Sequence, residues 1–157
     1  MGWQRLIRFL LLGSRELEEY AIVVVRIALG IFFAVSGANK LFVPAQTQTM
    51  YETLVAANVP FPHVMVYFVS SVEFVGGLML IAGFLTSLAC IALLGDMMVA
   101  ILTTKLAGLP KGVSPLSWLD NFLYLPEALY VLFFLSLICS GPGRFSVDHR
   151  LAAKLRQ

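Results

Sequence analysis

The chain has 157 residues, 59% of them hydrophobic and 13% charged, against about 25% charged residues in soluble domains, with a mean hydropathy of +0.87. Several apolar runs approach the ~20 residues a helix needs to cross a ~30 Å hydrocarbon core, which points to an integral membrane protein and excludes secreted disulfide scaffolds, disordered linkers and nucleic-acid modules. The net charge is +2, yet seven of the eleven Lys and Arg residues lie in the two termini, flanking apolar segments rather than forming a stripe for a polyanion.

In chain order, Trp3, Leu6, Ile7, Leu10 and Leu11 fall on one helical face with Gln4, Arg5 and Arg8 elsewhere, the pattern of a helix lying in the membrane interface. Arg8 interrupts the apolar run and no small-residue cleavage site follows, so this segment is expected to be retained. Four spans are expected, at residues 20–43, 63–83, 86–108 and 121–140. The first connection can hold a short helix around Met50 to Ala56, stopped by Pro60-Phe61-Pro62. Only Phe84 and Leu85 link the second and third spans, which demands a tight antiparallel hairpin. The third connection, with Pro110, Gly112 and Pro115, reads as an irregular loop ending near Trp118, a residue suited to the headgroup level.

After the fourth span, Gly141-Pro142-Gly143 ends a helix, Ser146 reads as an N-cap, and Asp148 sits in the first turn of a short helix. Val147, Leu151 and Leu155 give that helix an apolar side; Arg150, Lys154 and Arg156 give it a basic one. The fold expected is therefore all-α, a single membrane domain over residues 1–157 built as a four-helix bundle with interfacial amphipathic helices at both termini. Arg5, Arg8 and Arg15 precede the first span and Arg144, Arg150, Lys154 and Arg156 follow the fourth, while residues 44–62 carry no Lys or Arg, so both termini are expected to be cytoplasmic.

Arg26, Glu73, Asp96 and Glu127 lie well inside the four spans, one per helix, with Lys40 near the outer end of the first. Each charge would cost about 2.5–3.5 kcal/mol at a helix centre if it faced lipid, so the charges are expected to face one another. At 1.5 Å per residue, Glu73 and Asp96 fall near the midplane, Arg26 about 8 Å to the cytoplasmic side and Glu127 about 5 Å to the outer side. Arg26 is expected to pair with Glu73 or Asp96, and Glu127 to be shared with Lys40 or with tyrosines. Arg26, Gly30, Phe33, Gly37 and Lys40 recur at spacings of four and three on one stripe, where the glycines allow close helix approach. On the second span Val69, Glu73, Gly76 and Leu80 share a face; on the third, Ala89, Ala92, Asp96 and Thr103 do. Tyr124, Glu127 and Tyr130 fall within two turns on the fourth span, and Pro126 leaves the Phe122 carbonyl without its helical donor, so a kink is expected beside Glu127.

Two bases against three acids leave one carboxyl without a counter-charge. Such a network can either fix helix register or anchor a ligand and handle protons. Cys90 and Cys139 lack a Cys-x-x-Cys spacing and read as buried spectators, and His63 and His149 lie at opposite membrane surfaces, so no metal site is expected. Met97 and Met98 beside Asp96 read as core filler.

The segments RIALGIFFAVSGANKLF (Arg26 to Phe42), VEFVGGLMLIAGFLTSLA (Val72 to Ala89), GDMMVAI (Gly95 to Ile101) and GPGRFSVD (Gly141 to Asp148), in this order and spacing, resemble the DoxX family of small four-span membrane proteins. Carried over by position, the family pattern highlights Arg26, Gly30, Gly37, Lys40, Glu73, Gly77, Gly83, Gly141, Gly143, Ser146 and Asp148. Many relatives in that family carry a His near the outer end of the third span, where this chain reads Thr103-Thr104-Lys105, so no imidazole role carries over. The resemblance implies a bacterial inner-membrane protein associated with redox chemistry, as the membrane part of a quinone-linked oxidoreductase complex. On that reading Arg26, Lys40, Tyr124 and Tyr130 would bind substrate, Glu73, Asp96 and Glu127 would exchange protons, and no cofactor would be intrinsic beyond a visiting quinone. The partners implied are membrane lipid and a soluble redox enzyme or membrane subunit, with a homo-oligomer left open and no nucleic acid. The alternative is a non-enzymatic scaffold or assembly factor whose basic terminal helices recruit a soluble partner.

Overall fold

The computed structural model of the protein describes residues 3, 7 and 14–155. Of the N-terminal interfacial helix expected from Trp3 to Leu11, all but Trp3 and Ile7 lies outside the described residues, as does Arg156. Within residues 14–155 seven helices follow in chain order: α1 (Arg15–Phe42), α2 (Pro44–Ala56), α3 (Pro62–Ala82), α4 (Thr86–Gly108), α5 (Pro115–Leu123), α6 (Pro126–Ser140) and α7 (Val147–Leu155). By length and composition α1, α3 and α4 each suffice to cross a membrane, and the bent pair of α5 and α6 makes a fourth span if counted as one. The chain is an all-α membrane protein, with its strongest helix pairing between α1 and α3, then α4 on α6 and α3 on α4.

The α1–α3 contact is close because glycines face backbone there. A Cβ on Gly77 would strike the Ala34 backbone nitrogen, and one on Gly37 the Phe74 nitrogen. The helices therefore touch main chain to main chain, as small residues permit in lipid, where packing replaces hydrophobic burial as the source of association. Around this seam Leu29, Phe33, Leu80, Leu93, Met97 and Phe134 form the buried core, with Cys90 among them. Cys139 is exposed rather than buried, on the outward side of α6.

The hairpin expected at Phe84-Leu85 is present: Gly83 closes α3 at φ +65°, and Leu85, also left-handed at φ +47°, opens α4. The helix expected near Met50 starts earlier, at Pro44, because a proline is well placed at N1. The third connection is irregular only from Leu109 to Ser114; Ser114 then caps α5 by accepting the Ser117 N–H at 3.2 Å, so Trp118 sits on a helix.

The fourth span, expected over residues 121–140 with a kink beside Glu127, is two helices rather than one kinked helix. It breaks at Tyr124-Leu125, and the axes of α5 and α6 differ by 69°. Pro126 disfavours a helical Leu125, which is extended at ψ 124°, and the Phe122 carbonyl expected to be orphaned instead accepts the Leu125 N–H at 3.1 Å. Pro126 thus starts a helix rather than kinking one.

Candidate functional site

The intramembrane charges separate into two clusters at opposite ends of the bundle. Toward the chain termini, Arg26 is 1% exposed, and its guanidinium donates to the carbonyls of Pro142 and Phe145, the latter at 2.6 Å. The expected pairing of Arg26 with Glu73 or Asp96 is therefore corrected. The segment from Gly141 to Asp148 folds back under the bundle and presents the Pro142 and Phe145 carbonyls, which take the guanidinium in place of carboxylates lying farther along the span. The same segment seals the hairpin: the Asp148 carboxylate accepts the N–H groups of Leu85 at 2.7 Å and Thr86 at 2.8 Å, capping α4. The Asp148 N–H donates to Gly83 O at 2.9 Å. Ser146 acts as the expected N-cap of α7, accepting the His149 N–H at 3.1 Å. A Cβ on Gly83 would strike the Arg26 guanidinium and lie 2.6 Å from Ser146 Cβ, which explains a glycine there.

At the other end lies a cavity of about 280 Å³ between α1, α3, α4 and α6, with Met50, Thr53 and Leu54 of α2 across it. Phe32, Phe33 and Tyr130 form an aromatic wall; the Phe33 ring is 5.3 Å from Tyr130 and 5.3 Å from Phe134. All three intramembrane acids line this cavity, as do Lys40 and Lys105. Lys40 Nζ lies 2.6 and 2.7 Å from the two oxygens of Glu73, and Ser36 Oγ donates to the same carboxylate at 3.2 Å. Glu127, expected to be shared with Lys40 or tyrosines, is 2.9 Å from Lys105 Nζ instead. Among the described residues Asp96 has no ion-pair partner, its Oδ2 is buried without a hydrogen-bond partner, and Glu127 Oε2 is likewise unmatched.

Of the seven candidate site residues, five share the cavity: Lys40, Glu73, Asp96, Glu127 and Tyr130. Arg26 belongs to the other cluster. Tyr124 is 80% exposed and lines no part of the cavity, because the break before Pro126 turns it away from Tyr130. Lys105, named in the sequence reading only as part of Thr103-Thr104-Lys105, and Ser36 are the polar additions. Lys105 could have been found by matching depth, since the end of the third span and the start of the fourth lie at one membrane level.

Local structure on α4 bears on Lys105. Residues Ile101–Lys105 form a π-helical turn, flanked by back-bonds from Thr103 Oγ1 to Val99 O and Thr104 Oγ1 to Ala100 O, both 2.7 Å. A π-turn admits extra backbone and shifts the register of the side chains beyond it, a feature frequent at functional sites. Two ion pairs, one free carboxyl, a phenol and an aromatic wall make a cavity able to hold a small polar ring and exchange protons with it.

The DoxX family model matches residues 21–106, more than half of the chain. The chain is 30% identical to the inner membrane protein YqjF of Escherichia coli over 142 residues, which cover 89% of this chain and 98% of that protein. It is 29% identical to the uncharacterized membrane protein Rv3486 of Mycobacterium tuberculosis over 140 residues, 85% of this chain and 83% of the other. No solved structure matches.

Proposed function

Given that the chain belongs to the DoxX family, we propose that it is the membrane part of a quinone-linked redox complex, with the cavity around Asp96 as the seat of the quinone ring. The observation that carries this reading is the unmatched Asp96 carboxyl beside two lysines already held by other acids. A quinone supplies redox chemistry that consumes or releases protons together with electrons. Its ring has carbonyl oxygens that accept hydrogen bonds and a flat apolar face. Lys40, Lys105 and Tyr130 are the donors at hand, Phe32 and Phe33 are an apolar surface for the ring, and Asp96 is the carboxyl free to give or take a proton. Glu73 and Glu127 hold the lysines in place. Electrons would come from a partner enzyme.

Gentle purification in detergent, followed by mass spectrometry of co-isolated small molecules, should yield a quinone that Asp96→Asn loses while the protein remains folded. Recovery of no quinone from the native protein, together with unchanged quinone-dependent activity on deletion, would sink this reading. In the same reading the protein sits in the inner membrane with both termini cytoplasmic, supported by the description of YqjF and by Arg144, Arg150 and Lys154 beyond α6. Reporter fusions at each end test it.

The scaffold alternative draws on α7, where Leu151 and Leu155 are exposed beside Arg150 and Lys154. Co-purification of a soluble partner that survives Asp96→Asn but not removal of residues after Gly143 would favour it.

A further inference from the structure

Asp96 borders a second space besides the cavity. On the outer flank of α3 and α4 lies a groove of about 320 Å³ whose walls include Phe68, Val72, Ala92 and Gly95, and which shares Val69, Asp96 and Val99 with the polar cavity. The groove continues past Phe68, Val72 and Ala92 into a further 310 Å³ reaching Met79 and Leu88. Among the described residues Asp96 is the one ionisable group along this whole course. Phe68 is 61%, Val99 54% and Leu88 56% exposed, so the surface that the groove follows is the one turned to lipid.

Two small residues on α4 hold the groove open, and helix packing requires neither. Ala92 is exposed, although the sequence pattern places it on one face with Ala89 and Asp96. Gly95 is more telling: a Cβ added there would meet nothing within 4 Å, unlike those at Gly30, Gly37 and Gly77. A mid-helix glycine weakens a helix, so one that no neighbour requires is explained by the space it leaves. That space is immediately beside Asp96.

We infer that the cavity is filled from the bilayer, by an amphiphile whose polar ring passes between α3 and α4 at Gly95 and whose hydrocarbon tail stays in the groove along Phe68, Val72 and Ala92. The inference rests on the reading of the Asp96 cavity as a quinone site and adds the route and the tail. Its argument is continuity: one carboxyl stands at the junction of a polar chamber and an apolar channel, which matches a ligand with a polar end and an apolar end. A water-soluble ligand would gain nothing from the channel. A tailed one loses no contact with hydrocarbon on binding and gains fixed packing against aromatic and branched side chains.

The test compares two probes on the purified full-length protein in lipid nanodiscs: a benzoquinone without a tail and the same ring bearing a decyl chain. Binding is measured for the native protein and for Gly95→Leu, whose side chain enters open space and so leaves the fold intact, with thermal unfolding as the check. The expected result is tighter binding of the decyl probe to the native protein, and a loss of about tenfold or more on Gly95→Leu for that probe alone. Equal binding of both probes, or a Gly95→Leu variant that treats them as the native protein does, overturns the tail route while leaving the cavity reading standing. Failure of both probes to bind the native protein overturns the two together. A change of particle size on Gly95→Leu with no change in probe binding would assign the groove to a second copy of the chain and also overturn the proposal.

Discussion

The carboxylate of Glu73 takes Lys40 Nζ on both its oxygens, at 2.6 and 2.7 Å, across the closest helix pair in the bundle. Glu73 is 4% exposed at its side chain and Lys40 25%, so the pair is anchored on its acid. Removing one partner of such a pair leaves a buried charge, whereas replacing both by neutral groups is often nearly neutral. Lys40→Met should therefore cost about 3 kcal/mol, and Lys40→Met combined with Glu73→Gln should recover most of it. Chemical or thermal unfolding in mild detergent reads the cycle. Additive losses would show that the two side chains do not depend on each other.

Arg26 holds a different part of the molecule. Arg26→Ala removes two charge-assisted bonds to Pro142 and Phe145 and should destabilise by about 2–3 kcal/mol. The loss should be local at first. Trypsin cleavage at exposed Arg144 should accelerate in the variant, while ligand binding at Asp96 stays as in the native protein. Weakened binding without faster cleavage would return Arg26 to the site it was expected to occupy.

The Asp148 cap joins the two ends of the chain's second half. Asp148→Ala takes away the acceptor for the Leu85 and Thr86 N–H groups and should cost about 1–2 kcal/mol. Amide hydrogen exchange should quicken at residues 85 and 86 before it does elsewhere in α4. Unchanged protection at those two amides would contradict the cap.

Two glycine substitutions should have opposite outcomes. Gly77→Ala places a methyl against the Ala34 backbone and should destabilise by about 1–3 kcal/mol or prevent assembly of α1 with α3. Gly95→Ala meets nothing and should be neutral or stabilise by up to about 1 kcal/mol. Melting temperatures of the two variants, purified side by side, decide it; a destabilised Gly95→Ala would mean that α4 packs more closely there than the open groove implies.

Much of the fold was legible because lipid imposes simple demands. Apolar runs of sufficient length place α3 and α4 within a residue of the expected boundaries. The Gly83 to Thr86 turn could not be longer, and Ser146 and Asp148 carried the marks of a helix start. The bend at Pro126 was expected, but not its size, since a proline can kink a helix or begin a new one, and local sequence does not say which. The sequence places Asp148 in the first turn of its own helix, whereas its carboxylate caps α4, a contact that spans 62 positions of sequence.

From the sequence by itself follow the membrane environment, the helical class and the need for the charges inside the spans to face protein, because an isolated charge in hydrocarbon is too costly to leave alone. Which charge meets which was decided only by tertiary structure. Partner choice depends on how far each helix slides and turns against its neighbour, and here those offsets come from the glycine seam of α1 and α3, the π-turn before Lys105 and the C-terminal segment folded under Arg26. The seam and the folded-under segment act between residues far apart in the chain, and the π-turn departs from the regular helical period, so the periodicity of a single helix carries no information on any of them.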